Sequence, residues 1–302
     1  LNYLPGRGEI VGRHLVDHLD VHVVAFTGSC DHGLEILRLA ANESPGQRHI
    51  KKVIVDMSAK NAIIVDHDAD TDAALEGIIE SAFAYAGQKC TACSRVIVLA
   101  PIYDEFCAKL AEAVRSIPVG PAENPGTLVG PVIAAAARDS ILAAIAQGRK
   151  EGRVLVEADI HRLADTGGYY VAPTVICDLA SDATLAQEEI FGPVLAVLKA
   201  RDFEDALRIA NDSKYALTGG VYSRSPANLD RARHPLPDRA GRAHIAHVAT
   251  RCGYVPGPRD HQPVSRALGD RAWLRRDGRW CSPTSRRSAS PSRSGACLRS
   301  SR

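Results

Sequence analysis

Lysine, glutamate and phenylalanine all run out early: Lys214, Glu204 and Phe203 are the last of each, while both tryptophans, Trp273 and Trp280, lie beyond them. That break excludes one uniform composition and sets a boundary after about residue 232. Net charge is only +2 over 302 residues, so the average chain points neither to nucleic acid nor to an anionic membrane. No run is long and apolar enough to span a bilayer, and the start, Leu1-Asn2-Tyr3-Leu4-Pro5-Gly6, lacks the charged and apolar regions of a signal peptide. It also lacks an initiating methionine and reads as the middle of a domain. Regular cysteine spacing is missing too. Cys30, Cys90, Cys93, Cys107, Cys177, Cys252, Cys281 and Cys297 are scattered, which argues against a disulfide framework and for a reducing compartment, the cytoplasm.

What is present is enough apolar content, 45%, to bury a core in each of two ordinary domains. Strand and helix patterns alternate up to about residue 224. Strands are expected at 21–26 (a buried one), 53–55, 62–65, 95–99, 154–157, 169–176 and 194–198, with a further one through Val221-Tyr222-Ser223. Helices are expected at 31–41, 72–86, 104–117, 134–147 and 202–211. This order predicts an α/β fold with largely parallel sheets. From His234 to Arg302 neither a period of two nor one of 3.6 is sustained. Arg, Pro, Ser, Gly and Ala dominate there, so low order is expected.

Chemistry concentrates at a few joints between elements. In the helix at 72–86, Ala74, Leu75, Ile78, Ile79, Ala82 and Phe83 share one face, and Asp70, Thr71 or Asp72 suits its start. Gly87-Gln88-Lys89-Cys90 then delivers a thiol into a loop just before Arg95-Val96-Ile97-Val98-Leu99. Cys93 three residues on makes a Cys-x-x-Cys, which can be a redox pair or half a zinc site. No second pair accompanies it in the patterned region, and it follows a helix rather than opening one. Cys93 therefore reads as a buried small hydrophobe, Cys90 as a lone nucleophile, and no metal is expected.

Other segments admit two readings each. Val24-Ala25-Phe26-Thr27-Gly28-Ser29 followed by Cys30-Asp31-His32-Gly33 is a strand, a glycine turn and a helix start. Such a turn aims N–H groups at a phosphate, or merely ends a strand and caps a helix. Asp56 at a strand end is a general base or a turn aspartate. Gln187-Glu188-Glu189-Ile190-Phe191-Gly192-Pro193-Val194 is a solvated loop, or a carboxylate for sugar hydroxyls beside a ring for a flat cofactor.

Taken together, in this order and at these spacings, the segments at Gly28, Asp56, Cys90 and Glu189 resemble the aldehyde dehydrogenase superfamily. The Δ1-pyrroline-5-carboxylate (L-glutamate γ-semialdehyde) dehydrogenase branch, which includes the dehydrogenase module of bifunctional proline-utilisation proteins, is the most similar. Pro45-Gly46-Gln47-Arg48-His49, Lys60-Asn61-Ala62-Ile63-Ile64-Val65-Asp66, Ser81-Ala82-Phe83, Ala92-Cys93-Ser94-Arg95 and Leu217-Thr218-Gly219-Gly220-Val221-Tyr222-Ser223-Arg224 carry that likeness. The resemblance implies a partial Rossmann-type cofactor domain at 1–60, an α/β catalytic domain at 61–233 and a disordered tail at 234–302. It implies NAD as cofactor and a small aldehyde, L-glutamate 5-semialdehyde, as substrate. Cys90 would attack the aldehyde and Asp56 would activate the hydrolytic water. Gly28, Ser29 and Gly33 would hold the pyrophosphate, Glu189 the ribose, Phe191 the nicotinamide face and Thr91 the substrate carboxylate.

Departures from the family set further expectations. Asp56 stands where Glu is usual, and Ser58 and Ala59 stand where glycines allow close approach to the cofactor. The likeness covers about residues 1–233, without the family's earlier segment that carries an oxyanion-stabilising asparagine. Such a donor is worth about 2–4 kcal/mol of barrier. The family's final substrate-anchoring loop and oligomerisation strand are replaced by the Arg-rich tail. Impaired activity is the expectation, with a non-catalytic remnant as alternative, and a homo-oligomer or a complementing N-terminal fragment as partner. The tail reads as the product of a frame change in a GC-rich gene. A nucleic-acid arm would also use clustered arginines, but few aromatics interleave them, so no nucleic acid is expected.

Overall fold

The computed structural model describes residues 2–42 and 45–233, and beyond them three short strands, Val248–Arg251, Trp273–Leu274 and Trp280–Cys281. The chain divides into two compact units, Leu1–Tyr254 and Val255–Arg302. In the first, a π-helical turn, Gly8–Gly12, runs into α1 (Arg13–Asp17). Strands β1 (Val23–Thr27) and β2 (Lys52–Asp56) follow, separated by α2 (Cys30–Ala41). Then come β3 (Asn61–Val65), α3 (Thr71–Phe83), β4 (Cys93–Leu99), α4 (Tyr103–Arg115), α5 (Ala135–Glu151) and β5 (Arg153–Glu157). The unit continues with β6 (Thr174–Cys177), α6 (Thr184–Gln187), β7 (Val194–Ala200), α7 (Phe203–Asn211), β8 (Gly219–Tyr222), α8 (Pro226–Arg233) and β9 (Val248–Arg251). In the second unit β10 (Trp273–Leu274) pairs antiparallel with β11 (Trp280–Cys281). Among the described residues no helix is long and apolar enough to cross a membrane.

Seven strands form the main sheet in the order β5-β6-β7-β4-β3-β8-β9. Among the described residues only β5 and β6 pair antiparallel in it. The central strands β4 and β7 are buried along almost their whole length, as near-continuous apolar strands of a two-sided parallel sheet should be. Helices start where a carboxylate or hydroxyl can take an orphan N–H. Ser29 accepts from His32 N–H, Asp70 from Ala73 and Asp202 from Asp205, at 3.4, 3.1 and 2.8 Å.

The observed elements correct several expectations. Strand β1 is not buried: β1 and β2 make a separate two-stranded parallel sheet whose residues are exposed or half-buried, with Val23 at 55% and Ile54 at 54%. Two strands offer a side chain nothing to lie beneath unless a helix covers the face. The expected helix at 72–86 stops at Phe83, because Ala84 turns extended and Tyr85 and Ala86 take positive φ. The expected strand at 169–176 shrinks to Thr174–Cys177, since Pro173 has no N–H to donate to a ladder. Most of 234–302 lies outside the described residues. One addition is β9, parallel to β8, which no alternation marked, since the β8 edge sets its register.

Asp66, at the end of β3, ties the sheet to its last crossover. It is fully buried and accepts from Ser223 Oγ at 2.7 Å, Asn228 Nδ2 at 2.7 Å and His67 N–H at 2.8 Å. Burial pushes its carboxyl up, but the bonds from Asn228, Ser223 and His67 outweigh that and hold it below the usual carboxylate range. Asp66→Ala is expected to cost on the order of 3 kcal/mol in urea unfolding, because it orphans buried donors. The depressed value also gives stability that is present above about pH 4 and lost as pH falls through the folded-state value. The variant should lack that acid-side loss.

Candidate active site

The segment from Asp56 to Lys60, between β2 and β3, touches every part of the site. At its start, the Asp56 carbonyl accepts from Gly28 N–H at 3.0 Å. Ser58 Oγ accepts from Cys30 N–H at 3.0 Å, joining the segment to the first residue of α2. Ala59 N–H donates to Glu189 Oε1 at 3.0 Å, and the Lys60 carbonyl accepts from Arg95 Nε at 3.0 Å. The Asp56 side chain meets the Cys90 thiol, with Sγ 3.9 Å from Oδ2.

Cys90 owes its position to strained backbone. Tyr85, Ala86 and Gly87 all have positive φ, of 61°, 54° and 67°. For the two non-glycine residues this costs about 1–2 kcal/mol each. Only glycine suits position 87, since a Cβ there would collide with the Gly192 carbonyl. This contact sets the Cys90 loop against the loop of Glu189 and Phe191, and Phe191 itself has φ 54°. Asn61 then clamps the thiol loop: Nδ2 donates to the carbonyls of Cys90 at 2.8 Å and Ala92 at 3.0 Å, while Oδ1 accepts from Thr218 N–H at 3.0 Å.

The half-buried Cys90 thiol is pushed above its ordinary value by burial and by the Asp56 charge, while the N–H groups of Cys90 and Thr91 pull it down. Cys93 is buried, donates to the Arg95 carbonyl and is pushed up to about 12 by desolvation. It is inert packing. The thiol at 90 is therefore held toward its protonated form, with the Asp56 carboxylate as its side-chain neighbour.

The remaining expected residues fall as follows. Gly28 and Ser29 form the turn after β1, where Ser29 Oγ caps α2 and also meets His32 Nδ1 at 2.7 Å. Gly33 is buried beneath Met57. Glu188 is spent on Lys214 at 2.9 Å and Tyr215 at 3.2 Å, whereas Glu189 turns inward. Phe191 keeps its ring 46% exposed. Thr91 is exposed beside Cys90, and among the described residues its side chain bonds to none of the others. Sequence reasoning assigned no role to Asn61, Arg95 or Lys60, and missed the bond that Ser58 makes. The one signal was polarity: a polar residue within or directly before a buried strand is seldom idle.

Comparison with known proteins places the chain in one family. The aldehyde dehydrogenase family pattern matches residues 1–255. The 1-pyrroline-5-carboxylate dehydrogenase of Geobacillus kaustophilus is 45% identical over 236 residues, 78% of this chain and 45% of that protein. Its Bacillus subtilis counterpart is 43% identical over 235 residues, 77% of this chain and 45% of that protein. The chain thus spans less than half the length of these relatives. Among solved structures, proline utilization A from Bdellovibrio bacteriovorus is similar with TM-score 0.77 and 46% identity, covering 82% of this chain and 25% of that one. A 1-pyrroline-5-carboxylate dehydrogenase from Thermus with bound NAD follows at TM-score 0.75 and 40% identity, covering 82% and 46%.

Two side-chain atoms of this segment, Asp56 Oδ1 and Lys60 Nζ, are buried without a hydrogen-bond partner among the described residues, and Lys60 is the cation of the two. Its side chain is 3% exposed and its Nζ has no hydrogen-bond partner among the described residues. Burial first, then the Arg95 charge, lower it to about 7, against a pull upward from Glu189 and Glu188. A base held below its unfolded value of 10.5 binds fewer protons when folded, so stability rises with pH between about 7 and 10.5. The limiting slope for one proton is about 1.4 kcal/mol per pH unit. Lys60→Met should remove this slope and raise stability at pH 7, as read from urea midpoints across that range.

Proposed function

The chain belongs to the aldehyde dehydrogenase family, and we propose that it carries the thiol chemistry of an NAD-dependent oxidation of L-glutamate 5-semialdehyde to glutamate in proline catabolism. The observation that carries this reading is the approach of Cys90 Sγ to Asp56 Oδ2 at 3.9 Å, on loops braced by Asn61 and the Gly87–Gly192 contact. The names of its relatives supply the substrate class and the bound dinucleotide of a similar structure the cofactor.

Cys90 adds to the aldehyde carbon as Asp56 takes the thiol proton, giving a thiohemiacetal. NAD, when bound, supplies the hydride acceptor that turns this into a thioester. Asp56, having passed the thiol proton to solvent, then removes a proton from water, which attacks the thioester carbon; the carboxylic acid departs as the leaving Cys90 thiolate takes that proton back. The N–H groups of Cys90 and Thr91, which pull the thiol value down, would also serve as donors to a developing oxyanion. Among cofactor residues the inward carboxylate of Glu189 and the exposed ring of Phe191 fit a dinucleotide, and the turn at 28–33 fits less well, because much of its donor set is engaged. Thr91 takes the substrate carboxylate.

The separate β1–β2 sheet supports a cofactor-domain portion at 1–60, distinct from a catalytic portion at 61–233. Its exposed Val23 and Ile54 suit a complementing segment, and the free thiols Cys30, Cys90, Cys93, Cys107 and Cys177 suit a cytoplasmic setting. A non-catalytic remnant is the second reading, favoured by the capture of Cys30 N–H by Ser58.

Purified chain given NAD and the semialdehyde should form NADH, slowly, and Cys90→Ala should abolish it. No turnover by the wild-type chain supports the remnant. Asp56→Asn separates the two roles of the carboxylate. NADH formation should fall about 10²- to 10⁴-fold with the base gone. Iodoacetamide labelling of Cys90 near neutral pH should instead rise, because removing the negative charge lowers the thiol value.

A further inference from the structure

The turn at 28–33 is covered by this chain's own segment. Of its backbone donors, Gly28 N–H goes to the Asp56 carbonyl at 3.0 Å and Gly33 N–H to the Ser29 carbonyl at 3.0 Å. Cys30 N–H goes to Ser58 Oγ at 3.0 Å and His32 N–H to Ser29 Oγ at 3.4 Å. That leaves Ser29 and Asp31, and Asp31 places a carboxylate in the first turn of α2, where it repels an anion. Met57 lies against Gly33 and closes the same end of the helix from above.

From this we infer that Ser58 is a built-in competitor for the dinucleotide diphosphate: its hydroxyl holds the Cys30 N–H that an incoming phosphate oxygen needs. The inference rests on the reading of 28–33 as the diphosphate turn. A phosphate that takes this donor must first break the Ser58 bond, which lies in the same segment that carries Asp56. Ser58 is thus a specificity-determining residue that weakens diphosphate ligands and leaves the nucleoside part untouched. The net worth of one such hydrogen bond corresponds to about two- to tenfold in affinity.

Calorimetric titration of the full chain and its Ser58→Ala variant with NAD, ADP and adenosine tests this. The variant should bind NAD and ADP about fivefold more tightly, bind adenosine as before, and show faster amide exchange at Cys30, while Ser58→Thr should keep wild-type affinity. Ser58→Gly serves as the second hydroxyl-free form should the alanine chain fail to fold. Equal diphosphate affinity in the wild-type and hydroxyl-free proteins overturns the competitor role and leaves the dinucleotide reading standing. Weaker binding without the hydroxyl also overturns it, since Ser58 would then be a ligand contact. Failure of every form to bind NAD or ADP sinks both.

Discussion

A five-residue segment pinned at both ends, Asp56 to Lys60, is the constraint on which the site depends. The carbonyls of Asp56 and Lys60 are committed to the β1 turn and to Arg95, the Ala59 N–H to Glu189, and the side chains of Ser58 and Asp56 to Cys30 and Cys90. Because these partners belong to distant stretches of chain, the segment cannot shift to suit one without loosening the others. The 3.9 Å approach of thiol and carboxylate is therefore a product of the fold rather than of the two side chains.

Behind the segment stands a buried polar frame that the apolar core could not supply. Arg95 is buried in the sheet and gives its donors to the carbonyls of Lys60, Ile209 and Ala210, which joins β3, β4 and α7 without an ion pair. Desolvation lowers its guanidinium to about 10, and three carbonyl acceptors offset part of that cost. Asn61 does the same for the thiol loop and β8. Each group is expensive to bury alone and specific once satisfied, so the pair restricts the site to one arrangement in a way that Val or Leu at these positions could not.

Elements whose cause is local were legible in the sequence. Ser29, Asp70 and Asp202 announce helix starts, and the apolar runs at β4 and β7 announce buried strands. The order of the chemistry-bearing segments marked the family, which the comparisons bear out. What stayed hidden is decided by partners far along the chain. Ser58 and Cys30 are 28 residues apart, and Asn61 and Thr218 are 157 apart. The end of α3 misled for the same reason. Ala84, Tyr85 and Ala86 are acceptable helix residues, and only the close passage of Gly87 against Gly192 forces the left-handed turn. The exposure of β1 depends on how many strands share its sheet, which no strand encodes by itself.

Satisfying a donor at a ligand site from within the chain has a thermodynamic consequence. An N–H left open for a phosphate destabilises the empty protein by the desolvation it suffers, and that deficit is recovered when the ligand arrives. Filling the donor from within moves the gain into the empty state and removes it from binding by the same amount. Ser58 makes this transfer at Cys30, and Met57 over Gly33 adds packing to it. Lys60 runs the other way: its unpartnered amine is a deficit the fold still carries, two residues from Ser58 and four from Asp56. One short segment thus holds a donor already spent and a donor still unspent. The first weakens ligand binding, and the second leaves open a stabilisation that the folded chain by itself does not supply.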